Sequence, residues 1–144
     1  MTVIRDIMCK RVVAFRPDAT LAEAVGLLTE YHVGGAPVVS TEGTIVGVIS
    51  ELALIDVVFD AAVRNAPISE YMTRDVQVVS PEDPVSRAAQ LFALYSFRRL
   101  PVVEEGKLVG IVTRRDLMNY ALRTNELLAE PLIDLIPELG QLTS

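Results

Sequence analysis

Apolar and polar positions along the chain recur with two periods, one typical of helices and one typical of strands. Two stretches carry apolar residues at the spacing of a single helix face, and these are Leu21, Ala24, Val25 and Leu28, then Val85, Ala88, Ala89 and Phe92. Thr20 is suited to cap the first helix, and Pro84 is suited to the first turn of the second. We therefore predict one amphipathic helix in each half of the chain.

Short β-branched and apolar runs surround each predicted helix. The predicted strands are residues 12–15, 37–39 and 45–49 in the first half and residues 76–79, 101–103 and 108–112 in the second. In each half the second and third strands are separated by a turn that contains Gly43 or Gly106, which suits a hairpin turn with positive φ. A last helix is expected after Ser50 and after Thr113, because a hydroxyl side chain is a good helix N-cap.

The sequence repeats itself at an offset of 64 residues. The aligned pairs include Ile4 with Ile68, Met8 with Met72, Pro17 with Pro81 and Tyr31 with Tyr95. After the hairpin turn the offset is 63, so that Gly47 aligns with Gly110 and Ser50 with Thr113. Each copy therefore reads β-α-β-β-α, a repeat of the α/β (α+β) class. Because about 60 residues bury only a marginal core, we expect the copies to pack through their sheets with pseudo-twofold symmetry and two equivalent clefts.

The repeat divides the chain into three parts. Residues 1–63 and 64–123 are the two copies, and residues 124–144 form a tail outside the repeat. The tail is apolar but is interrupted by Pro131 and Pro137. A helix and a partner contact are both compatible with it, so its packing on this chain or on a partner is left open.

Composition and charge narrow the function classes. Hydrophobic residues make up 51% and charged residues 22% of the 144 residues, as in ordinary folded proteins. No apolar run reaches the roughly 18–20 residues that cross a bilayer, and the N-terminus lacks the apolar stretch of a signal peptide. A cytoplasmic protein without a membrane partner is therefore predicted. The net charge of −6 argues against nucleic acid as a partner, although adjacent arginine pairs leave a local contact to test.

Cys9 is the only cysteine and His32 is the only histidine in the sequence. An intrachain disulfide is therefore impossible, and no cluster of cysteine or histidine is available for a metal. The sequence contains no Walker loop and no nucleophile elbow, so neither P-loop hydrolysis nor a Ser-His-Asp triad has a motif to support it. We expect no metal and no catalytic residue.

The segment from Thr113 to Asp116 combines a hydroxyl at a helix start with a carboxylate one turn later. A helix N-terminus offers unpaired amides that suit a phosphate, and a carboxylate can accept hydrogen bonds from both ribose hydroxyls. Arg114 and Arg115 add positive charge for phosphates. The same spacing also forms a capping box, in which Asp116 accepts a hydrogen bond from the backbone of Thr113. The residues alone leave both interpretations open.

The ends of both copies resemble the signature of the CBS (cystathionine-β-synthase) domain family. Residues 100–116 read Leu-Pro-Val-Val-Glu-Glu-Gly-Lys-Leu-Val-Gly-Ile-Val-Thr-Arg-Arg-Asp, a full match to a Pro-Val-Val strand followed by Gly-x-x-Ser/Thr-x-x-Asp. The first copy keeps Gly47 and Ser50 but has Ala53 at the aspartate position. The resemblance covers about residues 1–122. It implies a tandem repeat pair, or Bateman module, that binds an adenine nucleotide between its copies and catalyses nothing.

In this family each cleft takes its ribose-binding aspartate from one copy and its base-binding wall from the other. The resemblance therefore implies a nucleotide site formed by Asp116, Thr113, Arg114, Arg115, Lys10, Arg11, Val13, Gly34, Gly35 and Ala36, with Met8, Cys9 and Val33 beside them. The glycines would let a flat base approach the backbone, and they are equally compatible with a tight turn.

The opposite cleft would combine Ser50, Ala53, Met72, Thr73, Gln77, Arg98 and Arg99. Because Ala53 cannot hold a ribose and Glu51 repels phosphate, we expect this cleft to be empty, to bind weakly or to bind something different. The arginine pair could still bind an anion there.

The leading hypothesis is a stand-alone sensor of AMP, ADP or ATP that requires no cofactor. The resemblance suggests a homodimer in which two repeat pairs form a flat disc. S-adenosylmethionine is a poorer fit, because its cationic sulfonium would meet Lys10, Arg11, Arg114 and Arg115. The alternative hypothesis is a ligand-free scaffold that docks a partner through its disc surface or its tail.

Overall fold

The structure is a computed structural model and describes residues 2–124. The helices are α1 (Leu21–Glu30), α2 (Glu51–Ile55), α3 (Val85–Leu94) and α4 (Arg114–Thr124), and the strands are β1 (Gly35–Val39), β2 (Ile45–Ser50), β3 (Arg99–Glu104) and β4 (Lys107–Thr113). Short 3-10 helices lie at Ile4–Asp6, Ala61–Val63 and Ile68–Glu70. The remainder of the tail, residues 125–144, lies outside the described residues, and so does the question of what it packs on.

Each half contains a two-stranded antiparallel hairpin. Strand β1 pairs with β2, and β3 pairs with β4. The hairpin turns contain Gly43 at φ 85° and Gly106 at φ 80°, which confirms the positive φ predicted for both glycines. Leu108 N–H donates to Gly43 O at 3.0 Å, so the two halves are also joined at their hairpins.

The helix starts follow local capping chemistry. Thr20 Oγ1 accepts from Glu23 N–H at 3.1 Å, and Glu23 Oε1 accepts from Thr20 N–H at 3.0 Å, a reciprocal capping box that begins α1. Pro84 stands immediately before α3 rather than inside its first turn. Ser50 and Thr113 directly precede α2 and α4, as predicted. The helix boundaries could therefore be predicted to within about one residue.

The first predicted strand of each half, residues 12–15 and 76–79, is wrong in extent, because the structure contains a single parallel bridge at each place. Phe15 N–H donates to Pro37 O at 3.0 Å, and Val39 N–H donates to Phe15 O at 2.8 Å. Extending this ladder toward the N-terminus would require an N–H donor at position 37, and proline has none. The aligned proline imposes the same limit in the second half.

Each half encloses its own hydrophobic core. The first core contains Phe15, Leu21, Ala24, Leu28, Ala36, Val38, Ile49, Leu54 and Ile68, and the second contains Ile4, Val79, Ala88, Leu91, Leu100, Val102 and Val112. Helices α1 and α3 bury the predicted faces, except that Ala89 is exposed. The predicted amphipathic helices therefore cover the hairpins of their own halves.

The two sequence copies exchange the short segments with which they begin. Ile68, at the start of the second copy, is fully buried in the first core, and Ile4, at the start of the first copy, is fully buried in the second core. We call residues 3–8 and 67–72 the lead-in segments. The boundary between residues 63 and 64 describes the sequence repeat, whereas each structural half takes its lead-in segment from the other copy.

Candidate functional site

Strand β4 and helix α4 meet at Thr113, which is bonded twice to Asp116. Asp116 N–H donates to Thr113 Oγ1 at 3.1 Å, and Thr113 N–H donates to Asp116 Oδ2 at 2.8 Å. The capping box that the sequence allowed is therefore formed. Helix α4 is 11 residues long, so the amides and the positive dipole end of a full helix lie beside this carboxylate.

The residues that follow the lead-in segment of the first copy pair with β4, the strand that leads into α4. Cys9 N–H donates to Ile111 O at 2.8 Å, and Ile111 N–H donates to Cys9 O at 2.9 Å. Lys10 and Arg11 follow directly, and both are exposed. Because Ile111 lies two residues before Thr113, the structure brings these basic residues of the first copy beside the last strand of the second.

The motif glycine of each copy allows its lead-in segment to approach the strand closely. A Cβ on Gly110 would lie 2.7 Å from Met8 Sδ and 3.0 Å from Cys9 O. A Cβ on Gly47 would lie 2.6 Å from Met72 Sδ. The sequence identified these glycines as part of a motif but did not reveal this packing role, because the contact joins two distant segments.

Gly34 and Gly35 contact the opposite cleft. Gly34 O accepts from Glu51 N–H at 2.9 Å, and Gly35 O accepts from Arg99 Nη1 at 2.7 Å. A Cβ on Gly35 would lie 2.8 Å from Ile49 O, so the backbone is crowded there. Both glycines line a cavity of about 490 Å³ together with Val48, Ser50, Glu51, Leu52, Ser96, Phe97, Arg98 and Arg99.

Asp116 lines a different cavity, of about 390 Å³, with Ile7, Asn119, Leu122 and Arg123. Neither of these two cavities is lined by both Asp116 and the predicted glycines. The two places are linked through Arg98, whose carbonyl accepts from Arg114 N–H at 3.3 Å. Asn119 and Arg123 were not predicted as site residues. They follow Asp116 by one and two helix turns, and this spacing, which places all three on one helix face, could have identified them.

Two of the predicted site residues serve the core. Ala36 is only 1% exposed and packs inside the first core, and its place in the base wall stays a prediction. Val13 is half-buried against the same core. Arg114 and Arg115 are exposed, and Asp116 is half-buried. The accessible part of the predicted site is therefore its charged part, around the start of α4.

The cavity at Ser50 is lined by three of the residues predicted for the opposite cleft, namely Ser50, Arg98 and Arg99, and not by Ala53, Met72, Thr73 or Gln77. Ser50 Oγ accepts from Ala53 N–H at 3.3 Å, so the helix start has the same N-cap as its counterpart but no carboxylate at the ribose position. Burial lowers the pKa of Arg99, the neighbouring charge of Arg98 lowers it further, and Glu51 raises it. Two guanidinium groups and one carboxylate therefore share this cleft.

Neither a metal site nor a membrane-spanning helix has support in the part of the chain that the structure describes. Within residues 2–124, no three His, Cys, Asp or Glu side chains are grouped so that they could hold a metal ion. None of the helices in the same range has the length and apolar character that crossing a bilayer requires. The cytoplasmic location and the absence of nucleic-acid binding stay predictions.

The sequence matches the CBS domain family over residues 4–60 and 68–123. The uncharacterized protein MJ1225 of Methanocaldococcus jannaschii is 37% identical over 115 residues, which cover 80% of this chain and 41% of that protein. The chain thus spans less than half the length of this relative.

Solved structures share the whole described fold. CBSX2 in complex with AMP has a TM-score of 0.80 and 31% identity, and the match covers 88% of this chain and 100% of that one. The CBS domain pair of MJ0100 in complex with 5′-methylthioadenosine and S-adenosyl-L-methionine has a TM-score of 0.73 and 26% identity, over 86% and 98% of the two chains. With two matched repeats that pack as a pair, this chain belongs to the CBS domain family.

Proposed function

We propose that the chain is a regulatory module that binds an adenine nucleotide at the start of α4 and catalyses no reaction. The observation that carries this proposal is the backbone pairing of Cys9 with Ile111, because it brings the segment that holds two basic residues of one copy to the strand that leads into Thr113 and Asp116 of the other. AMP in complex with the similar protein CBSX2 supports the ligand class. AMP, ADP and ATP all fit this description.

Asp116 is proposed to hold the ribose. Its Oδ2 accepts from Thr113 N–H in the capping box, and Oδ1 can accept from the ribose hydroxyls at the same time. The hydroxyl of Thr113 accepts from Asp116 N–H and can donate its own proton to a phosphate or ribose oxygen. The capping box and the nucleotide site are therefore compatible, and the first orients the carboxylate for the second.

Phosphate groups are proposed to lie among the exposed cationic side chains near the start of α4. Lys10 and Arg11 come from the first copy, and Arg114 and Arg115 come from the second. Arg114 and Arg115 begin α4, whose N-terminal amides and dipole also favour a phosphate. Gly34 and Gly35 stay in the proposal as part of the base wall, on the far side of Arg98.

The same charges favour nucleotides over sulfonium ligands. MJ0100 was solved with 5′-methylthioadenosine and S-adenosyl-L-methionine, so relatives of this fold take adenosyl ligands without phosphate. In this chain four cationic side chains are proposed to lie at the site, where they would repel a sulfonium while attracting phosphates. We therefore place AMP, ADP and ATP ahead of S-adenosylmethionine.

A homodimer is proposed to form through exposed apolar side chains of α2, of α4 and of the turn that follows α2. Phe59 is 88% exposed and Leu122, its aligned residue in the second half, is 55% exposed. Ile55 and its aligned Met118 are 61% and 60% exposed. Large exposed apolar groups often mark an interface, and a twofold dimer buries the same patch on both subunits.

The same apolar surface favours the second candidate, a scaffold whose clefts bind nothing and whose helices dock another protein. Ala53 supports it too, because one of the two clefts has already lost the ribose-binding carboxylate. The two candidates differ in what Asp116 does. Under the scaffold hypothesis the residue only caps α4.

Calorimetric titration with AMP, ADP, ATP and S-adenosylmethionine tests the proposal. We expect one nucleotide per chain, and binding to Asp116→Ala that is weaker by at least about tenfold. Glu23→Ala is the matched control, since it removes the same kind of capping box from α1, far from both clefts. Equal binding by wild type and Asp116→Ala, or no binding of any of the four ligands to the wild type, would support the scaffold instead.

A further inference from the structure

The sequence contains a third copy of the lead-in segment. Residues 3–8 read Val-Ile-Arg-Asp-Ile-Met, residues 67–72 read Pro-Ile-Ser-Glu-Tyr-Met, and residues 131–136 read Pro-Leu-Ile-Asp-Leu-Ile. The same 64 positions separate the first copy from the second and the second from the third. All three have an aliphatic second residue, an acidic fourth residue, and apolar fifth and sixth residues.

The first two copies show what this pattern does. The aliphatic second residue, Ile4 or Ile68, is fully buried in a core. Its N–H donates to a loop carbonyl ahead of the long helix, from Ile4 to Asp83 O at 2.9 Å and from Ile68 to Ala19 O at 2.8 Å. We call each such position a lead-in site. Within residues 2–124, residues 67–72 fill the site of the first half and residues 3–8 fill the site of the second.

The path of the chain after α2 indicates which lead-in site the third copy would reach. The chain returns past the start of α1, where Arg64 O accepts from Ala22 N–H and Ala66 O accepts from Leu21 N–H, both at 3.0 Å. Ile68 then enters the core of the half that the chain has just completed. Leu132 follows α4 at the aligned position, so the same course would bring it to the lead-in site of the second half.

An open apolar cavity connects the end of α4 to that site. The cavity has a volume of about 550 Å³, and the residues that line it include Thr2, Pro84, Val85, Leu117, Ala121 and Thr124. Thr124 is the first residue of the tail and the last that the structure describes, and Thr2 immediately precedes the N-terminal lead-in segment. We propose that residues 131–136 are a second occupant of the lead-in site of the second half and compete there with residues 3–8 of the same chain.

The N-terminal occupant has contacts that the third copy cannot form. Arg5 Nη2 lies 2.7 Å from Glu82 Oε1 and 2.7 Å from Glu104 Oε2, and the third copy has Ile133 at this position. Cys9 N–H donates to Ile111 O, and the aligned residue Pro137 has no N–H. Residues 131–136 therefore bind as the weaker competitor, which gains the site when the N-terminal segment leaves it.

This competition would regulate the nucleotide site, an extension that rests on the proposed function. When residues 3–8 leave, Lys10 and Arg11 lose the bridge that holds them beside β4. A nucleotide bound to these side chains would favour the N-terminal occupant, and the tail would favour the nucleotide-free state. A ligand shifts such an equilibrium by its difference in affinity for the two states.

The test combines a deletion of residues 2–8 with Leu132→Asp and measures thermal unfolding. Leu132→Asp should leave the melting temperature of the full chain unchanged, because Ile4 fills the site. In the shortened chain it should lower the melting temperature by about 8 °C or more, as expected for loss of a buried leucine. Leu142→Asp, outside the third copy, should have no effect in either chain.

Three results would overturn the proposal. They are an equal effect of Leu132→Asp in both chains, failure of the shortened chain to fold with its tail intact, and a melting temperature that rises more steeply with protein concentration in the shortened chain than in the full chain, which would indicate exchange between copies. Ile4→Ala in the full chain is a milder second background in which Leu132→Asp should again become destabilising. No nucleotide is needed, so failure here is distinguishable from failure of the proposed function.

Discussion

The backbones of Cys9 and Ile111 form two hydrogen bonds, of 2.8 and 2.9 Å, between residues that are far apart in the sequence. This pair joins the first copy to the strand that leads into α4, and Thr73 pairs with Val48 in the same way in the other half. The contact explains why the basic residues after Cys9 lie beside the strand that leads into α4 of the other copy.

Gly110→Ala should destabilise the fold by about 1–3 kcal/mol, because the added methyl group would overlap Met8 Sδ at 2.7 Å and Cys9 O at 3.0 Å. Gly26→Ala is the control. This helical glycine has nothing within 4 Å of an added Cβ, so the change should stabilise by about 0.5–1 kcal/mol. Urea denaturation measures both, and equal effects of the two variants would contradict the packing role of Gly110.

Thr113→Ala should cost about 1 kcal/mol of stability, since Asp116 N–H loses its side-chain acceptor at the start of α4. Thr113→Ser keeps the hydroxyl and should retain most of that stability. The comparison is made by urea denaturation without ligand. If alanine and serine were equally destabilising, the methyl group rather than the cap would be the important part of the side chain.

The capping box of α1 should give the fold an acid-sensitive contribution to stability. The hydrogen bonds from the backbone and hydroxyl of Thr20 lower the pKa of Glu23. A carboxyl whose pKa is lowered on folding stabilises the native state above its unfolded pKa, and this contribution is lost as the pH falls through the folded pKa. The stability advantage of the wild type over Glu23→Gln should therefore shrink between about pH 5 and pH 3 in denaturation measurements. An advantage independent of pH would contradict this.

Ala53→Asp combined with Glu51→Arg should create a second nucleotide site. Ser50 already caps α2 through Ala53 N–H, so an aspartate at position 53 would lie one turn from the hydroxyl as in the second half. Removing the carboxylate of Glu51 also removes its repulsion of phosphate. Calorimetric stoichiometry should rise from one AMP per chain to two, and Ala53→Asp alone should bind the second AMP more weakly. A stoichiometry that stays at one would show that the backbone of this cleft excludes the ligand.

Local chemistry made much of the fold predictable from the sequence. The hairpin turns at Gly43 and Gly106 and the caps at Thr20 and Thr113 depend on residues within a few positions of each other. The strands at residues 12–15 failed as predictions because an apolar run reports burial, whereas a strand also needs a partner with free donors. Pro37 removes the donor that a longer ladder would require.

The candidate site was predictable in its charged residues but not in its walls. Repetition of the sequence cannot reveal which half receives a lead-in segment, so the exchange of Ile4 and Ile68 was not foreseen. Ala36 was assigned to the cleft from its place ahead of Pro-Val-Val, and the structure buries its side chain in the core. Both features concern long-range packing, which depends on three-dimensional neighbours rather than on spacing.

The measurement that tests the central claim most directly compares AMP with its 2′,3′-dideoxy analogue in wild type and Asp116→Ala. Hydrogen bonds to a charged group contribute about 1.5–3 kcal/mol, so the wild type should bind AMP at least about tenfold more tightly than the analogue. Asp116→Ala should bind the two ligands with equal, weak affinity. Equal affinities in the wild type, or a preference for AMP that survives in Asp116→Ala, would contradict the assignment of Asp116 as the ribose-binding residue.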